Sequence, residues 1–439
     1  MRLNSHVIKP VFTKTYPLVS HGKGVYLYDT HGKAYLDGCS GAITANIGHG
    51  VPEVIAAMEK QANKVSFTYR SQFTSEVAEN LAEKLASWAP GDLEYVFFVN
   101  SGSEATETAI KIALQYWQEK GVKGKYKILS RWMGYHGITM GSLAVSGHIP
   151  RRIKYVPLLF DSPMIDPPYC YRCPFHESYP HCQLPCAEQL EKVIKREGPE
   201  YIAAFICEPI IGASGGAIVP PPYYYQRIKQ LCDHYGILFI VDEVMTGMGR
   251  TGRNFAINHW GVIPDLIALG KGMSAGYAPI AATIVSERII DVISNGSGAI
   301  MAGHTYSAHP QSAAAALAVL DIIEKNQLIQ KVAEKGNMLM RELKKIKEAH
   351  PIVGDVRGKG FLCGIEFGDF EQKGLSERLI EKAFSLGLLL YPAMGGSDYY
   401  GGEGVLVAPP FTLQQEDMNV LLQRLDQALS LLEEDLKHG

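Results

Sequence analysis

The chain has no long hydrophobic run. Its most apolar stretch, Ala313 to Ile323, is too short to span a bilayer and carries Asp321. The opening MRLNSHVIKP lacks the apolar core of a secretory signal. A basic excess is missing too: 42 Lys and Arg against 45 Asp and Glu give a formal net charge of −3. That argues against a nucleic-acid or polyanion partner. Internal repeats and low-complexity linkers are absent. Cysteine is sparse, eight in 439 residues. These features lead us to expect a cytoplasmic protein with reduced thiols and no disulfide framework. What the chain does have is apolar residues, 46% of the total. Over this length they suffice for a large core and more than one domain.

Two alternating runs around His31-Gly32, in GVYLYDTHGKAYLDG, predict a hairpin. Pro52 predicts the start of an amphipathic helix, PEVIAAMEKQ. From about residue 75, helical patterns alternate with short β-rich runs: 95–99, 126–130, 201–207, 237–241, 265–269 and 281–285. Most are nearly continuous in apolar residues, as in strands covered on both faces. The alternation predicts an α/β fold on a mostly parallel sheet. A helical stretch near 310–347 leads to a second strand-and-helix series from about 352, ending in a helix over 413–436. The Pro- and Cys-rich stretch 161–186 reads as a surface loop or insertion.

Open parallel sheets bind ligands at the carboxyl ends of their strands. Asn100-Ser101-Gly102-Ser103-Glu104 follows the first run and opens a helix, whose free N–H groups can cradle a phosphate. The same residues also read as a plain capping box. Tyr135-His136-Gly137 follows the second run, where an aromatic can stack on a flat ring or pack in the core. Glu208-Pro209 ends the third as an orienting carboxylate or a simple terminator. Asp242 ends the fourth. A buried carboxylate needs a positive partner, either a protonated ring nitrogen or a nearby arginine such as Arg250. Lys271 sits between two glycines after the fifth. Desolvation there lowers an amine pKa, which suits Schiff-base chemistry; an exposed loop lysine is the bland alternative. Together these groups are the parts that pyridoxal 5′-phosphate (PLP) requires.

The series NSGSEATETAIKIA, GYHG, CEPI, VDEVMTGMGRTG, ALGKGMSAGYAPIAA and GHTYSAHP resembles the class III aminotransferases, or ω-transaminases, over nearly the whole chain. The resemblance implies a fold-type-I PLP-dependent transferase. A large domain over 55–325 would carry the mostly parallel sheet. Both chain ends, 1–54 and 326–439, would build a smaller α+β domain. By position, Lys271 would be the Schiff-base lysine and general base, and Asp242 the partner of the pyridine nitrogen. Gly102 and Ser103 would hold the phosphate, with Tyr135 and Val244 on opposite faces of the ring. Ser101, His136 and Glu208 count with the cofactor-binding set. Thr305 would reach the phosphate of a neighbouring subunit, which implies a homodimer or a dimer of dimers. The partners implied are small amines and keto acids. Some family members are racemases or epimerases, and that alternative stays open.

The chain departs from its family in two places. Ornithine and 4-aminobutyrate members pair a glutamate with an arginine that binds 2-oxoglutarate, where this sequence has Ala213 and Leu406. Amine:pyruvate members carry a late mobile arginine, where this chain aligns Tyr391. These gaps lead us to expect pyruvate as acceptor, with loop 394–404 shaping the pocket. The second departure is Cys170, Cys173, Cys182 and Cys186, spaced C-x₂-C and C-x₃-C with His176 and His181 between. They can hold a structural zinc or be free thiols of a proline-stiffened insertion.

Two motif matches point elsewhere. Gly247, Gly249 and Gly252 fit G-x-G-x-x-G, but the match is displaced from its strand and no clear helix follows. Gly212, Ser214 and Gly216 fit G-x-S-x-G, but Pro220, Pro221 and Pro222 forbid the helix a nucleophile elbow needs.

Overall fold

The computed structural model describes residues 5–370, 372–394 and 402–438. At its centre is a seven-stranded sheet in the order Leu93–Val99, Ala281–Ser286, Leu266–Leu269, Leu238–Asp242, Ile202–Cys207, Lys127–Arg131, Met164–Ile165. Ala281–Ser286 is antiparallel to both of its neighbours. The other pairings in the sheet are parallel. Six of these strands match the predicted runs to within one or two residues. Ile202–Cys207 and Leu266–Leu269 are buried along their whole length, so helices cover both faces, as parallel strands require.

Helix starts follow local chemistry. Ser101 caps Gly102–Glu119 by accepting from the Glu104 N–H at 3.3 Å. Prolines begin Pro52–Lys64, Pro185–Glu197 and Pro310–Lys325, where the missing N–H has no intrahelical partner to lose. The expected single helical stretch at 310–347 is two helices, Pro310–Lys325 and Leu328–Ala349. Gln327 separates them with a left-handed φ of 51°. The predicted hairpin forms as Tyr26–Asp29 and Ala34–Asp37. Its turn is fixed by Asp29 Oδ1, which accepts from His31 N–H at 2.9 Å and Lys33 N–H at 3.0 Å.

Two smaller sheets flank the central one. Leu388–Leu389 pairs in parallel with Ala34–Asp37, so a strand from late in the chain completes the N-terminal sheet. A four-stranded antiparallel sheet orders Val353–Lys359, Leu362–Phe367, Gly404–Val407 and Tyr391–Ala393. The chain closes with the helix Gln415–His438.

The stretch 161–186 is more than a surface loop. Met164–Ile165 adds the edge strand of the central sheet. Tyr169 is buried and bonded to Glu366, which also accepts from Arg172 Nε at 2.6 Å. Two residues are too few to show a strand period, which is why this edge strand was not predicted. No helix among the described residues is long and apolar enough to cross a membrane.

Candidate active site

The carboxyl ends of the parallel strands converge on one cavity. It is lined by Gly102, Ser103, Tyr135, His136, Gly137, Glu208, Ala213, Asp242, Val244, Met245 and Lys271. Asp242 is the last residue of its strand and pairs with Ala268 of the next. Lys271 lies just past the end of Leu266–Leu269, with its backbone at φ 38°, the left-handed region non-glycine residues seldom adopt. Such strain, held by its surroundings, is common at functional positions. Gly102 begins the long helix so close to Val244 that a Cβ would stand 2.7 Å from Val244 Cγ1.

Polar contacts fix these groups. His136 Nδ1 lies 2.8 Å from Asp242 Oδ2, with both side chains buried. Asp242 Oδ1 accepts from the Val244 N–H at 3.0 Å. Glu208 accepts from the Tyr135 N–H at 3.1 Å and the Gly212 N–H at 3.2 Å, tying two loops of the cavity together. Burial pushes its carboxyl pKa up. Burial also pushes the Lys271 amine down, opposed by the charges of Asp242 and Glu208. An amine with a lowered pKa is neutral more of the time and a better nucleophile. Ser103 Oγ accepts from Ile138 N–H at 3.0 Å, joining the helix start to the loop after Gly137.

Some expected residues lie apart. Ser101 is an exposed cap and Thr305 is exposed in the turn near 304–307; neither lines the cavity. Arg250, considered as a partner for Asp242, is elsewhere. It is fully buried and donates to Pro409 O, Phe361 O, Ser40 and Asn46. Ala213 lines the cavity, whereas Leu406 is a buried sheet residue paired with Gly364 and Tyr391. Most of loop 394–404 lies outside the described residues. Cys170, Cys173, Cys182 and Cys186 are free thiols, and burial raises the Cys186 pKa to about 12. Among the described residues no group of three or more His, Cys, Asp or Glu could hold a metal ion. Ser214 of the G-x-S-x-G match is buried and donates to Met133 O, so it presents no nucleophile.

Sequence reasoning missed Met245 and Arg151. The Arg151 guanidinium lies 4.7 Å over the Tyr135 ring centroid and donates to its hydroxyl at 3.3 Å. The sequence holds no signal for this contact, because sixteen residues separate the pair and a short helix brings them together.

The cavity fits PLP in its donor chemistry. A buried carboxylate and a desolvated amine share its wall without forming an ion pair, so a group can stand between them. Gly102 and Ser103, the first residues of the long helix, line the same cavity, and a helix start carries N–H groups without intrahelical partners.

The comparisons agree with this chemistry. The family model for class III aminotransferases matches residues 9–429. The uncharacterized aminotransferase YodT of Bacillus subtilis is 49% identical over 99% of this chain and 100% of its own. The putrescine–pyruvate aminotransferase of Pseudomonas aeruginosa is 34% identical over 92% of this chain and 88% of its own. An amine transaminase from an uncultivated Pseudomonas species, solved in its PLP-bound form, superposes with a TM-score of 0.90. It is 35% identical, and the match covers 98% of both chains. With its mostly parallel central sheet and its site at the strand ends, the chain belongs to the class III aminotransferases, PLP-dependent enzymes of fold type I.

Proposed function

We propose that this enzyme takes an amino group from an ω-amine, a β-amino acid or a related amine and passes it to a keto acid, pyruvate before 2-oxoglutarate. The observation that carries the reading is the convergence of Lys271, Asp242, Tyr135 and the Gly102 helix start on one cavity. Lys271 would attach PLP, Asp242 would pair with its ring nitrogen, and Tyr135 and Val244 would flank the ring. Gly102 and Ser103 would hold its phosphate. When bound, PLP supplies an electron sink for the pair left when a proton is removed beside the amino group. Lys271 would take that proton from the substrate carbon and deliver it to the carbon on the other side of the nitrogen, and burial lowers its amine pKa, which favours the basic form. His136 and the Val244 N–H hold Asp242 in place, so its charge stays aimed into the cavity.

The acceptor preference rests on Ala213 and Leu406. Neither can hold the second carboxylate of a dicarboxylic acid, and a buried unpaired carboxylate is costly. The putrescine–pyruvate relative supports the same choice. We further read residues 1–54 and 326–439 as one small domain against a large domain over 55–325. We read the working form as a cytoplasmic homodimer or dimer of dimers, with Thr305 serving the neighbouring site.

A half-reaction screen tests this. The PLP form is mixed with diamines, β-amino acids and α-amino acids while the cofactor absorbance is followed. The aminated form is then given pyruvate or 2-oxoglutarate. Faster reaction with pyruvate is expected. Preference for 2-oxoglutarate overturns the acceptor assignment. Interconversion of amino-acid stereoisomers without any keto acid replaces transfer with racemisation.

A further inference from the structure

Among the described residues, the acidic and basic side chains lining the cavity are Glu208, Asp242 and Lys271. Lys271 is committed to the reaction. Among the described residues, a keto-acid carboxylate entering this space therefore meets two carboxylates and no cation free to receive it. Burying an unpaired carboxylate is expensive, so a substrate of this class needs a cation from the rim.

The nearby arginines differ in how far they are engaged. Arg131 is fully buried and donates to Glu208 O and to the Tyr225 hydroxyl. Arg357 pairs with Asp355 at 2.8 Å and Glu366 at 2.5 Å. Arg151 is exposed and makes no ion pair among the described residues. Its contacts are the ring and hydroxyl of Tyr135, which itself lines the cavity. That hydrogen bond is long, at 3.3 Å, and uses one of the five N–H donors of a guanidinium. The remaining donors suit a bidentate grip on a carboxylate. Arg151 is also close enough for its charge to act on the Lys271 amine, which places it within electrostatic range of the reacting groups. The short helix Ile149–Arg152 and the His148 ring, packed edge-on to Tyr135 at 5.9 Å, fix the base of the arginine at this rim.

We propose that Arg151 is the specificity-determining residue that receives the carboxylate of the keto-acid acceptor, swinging from the face of Tyr135 to do so. The proposal rests on the transaminase reading and supplies the cation that Ala213, Leu406 and Tyr391 do not. It assigns a residue from the large-sheet side of the cavity, not from the C-terminal sheet.

The test uses the PLP-loaded enzyme and its Arg151→Gln and Arg151→Lys variants. Propionate, an unreactive monocarboxylate, is titrated into each by calorimetry. Steady-state kinetics are then compared for pyruvate and for propanal, an acceptor of similar size without the carboxylate. Arg151→Gln is expected to weaken propionate at least tenfold. It should also cut the preference for pyruvate over propanal at least tenfold, through KM more than kcat, with Arg151→Lys restoring part of both. Unchanged propionate affinity overturns the proposal. So does an equal loss for the two acceptors, which would make Arg151 a support for Tyr135 alone. If the parent transfers no amino group, the transaminase reading fails, while the propionate titration still decides the role of Arg151.

Discussion

His136 Nδ1 and Asp242 Oδ2 stand 2.8 Å apart in the buried wall of the cavity, and Asp242 is the last residue of a central strand. The imidazole fixes a carboxylate that we propose keeps a cofactor nitrogen protonated. Removing Asp242 deletes a buried charge partner. Asp242→Ala is therefore expected to lower kcat/KM by more than a hundredfold, about 3 kcal/mol of transition-state stabilisation. Kinetics of the purified variant with saturating PLP check this; activity within about tenfold, roughly 1.4 kcal/mol, contradicts the role.

His136 acts through Asp242, so its loss should be smaller and should not add to that of Asp242. His136→Phe keeps the ring volume and removes the hydrogen bond. We expect kcat/KM to fall about tenfold to a hundredfold in the single variant and little further in the double variant with Asp242→Ala. Full additivity in that double-mutant cycle would show that the two residues act separately.

Glu243 lies next to the site but faces away from it. It accepts from the Ile257 N–H at 2.8 Å and from the Thr246 hydroxyl, and burial raises its pKa to about 7. A carboxyl whose folded pKa exceeds its unfolded value binds more protons when folded. Its contribution is present in full below the unfolded value of 4.5 and is lost as pH rises to about 7. The shift corresponds to about 3 kcal/mol. Urea unfolding at pH 5 and pH 7.5 should show this fall in the parent and a much smaller one in Glu243→Gln. Parallel pH profiles for the two proteins would refute it.

Gly102 sits where no side chain fits, since a Cβ would lie 2.7 Å from Val244 Cγ1. Gly102→Ala forces Val244 or the helix start to move, and both are assigned to hold PLP. Titrating apoenzyme with PLP should give a Kd at least tenfold above the parent. An unchanged Kd would mean the helix start is not part of the phosphate cradle.

The strand runs and the residues just past them could be read because parallel strands buried on both faces leave continuous apolar signals. Lys271, Asp242 and Tyr135 were singled out by that logic, and the fold brings them into one cavity. Contacts made by docking distant segments left no such trace. Arg250 reads as a local partner for Asp242 but is drawn to Asn46, Phe361 and Pro409. The break at Gln327 hides inside a helical pattern because one left-handed residue hardly disturbs the apolar period. Arg151 has no signal in the sequence, and only the short helix places it over Tyr135.

The central claim is that Lys271 carries the cofactor. Its amine is desolvated and its backbone strained, at the mouth of the strand Leu266–Leu269. The most direct measurement is borohydride reduction of the PLP-loaded enzyme, followed by peptide mapping with mass spectrometry. The account predicts one pyridoxyl adduct, on Lys271, and its disappearance together with turnover in Lys271→Ala. A stoichiometric adduct on any other lysine, or a Lys271→Ala enzyme that still turns over, would contradict it.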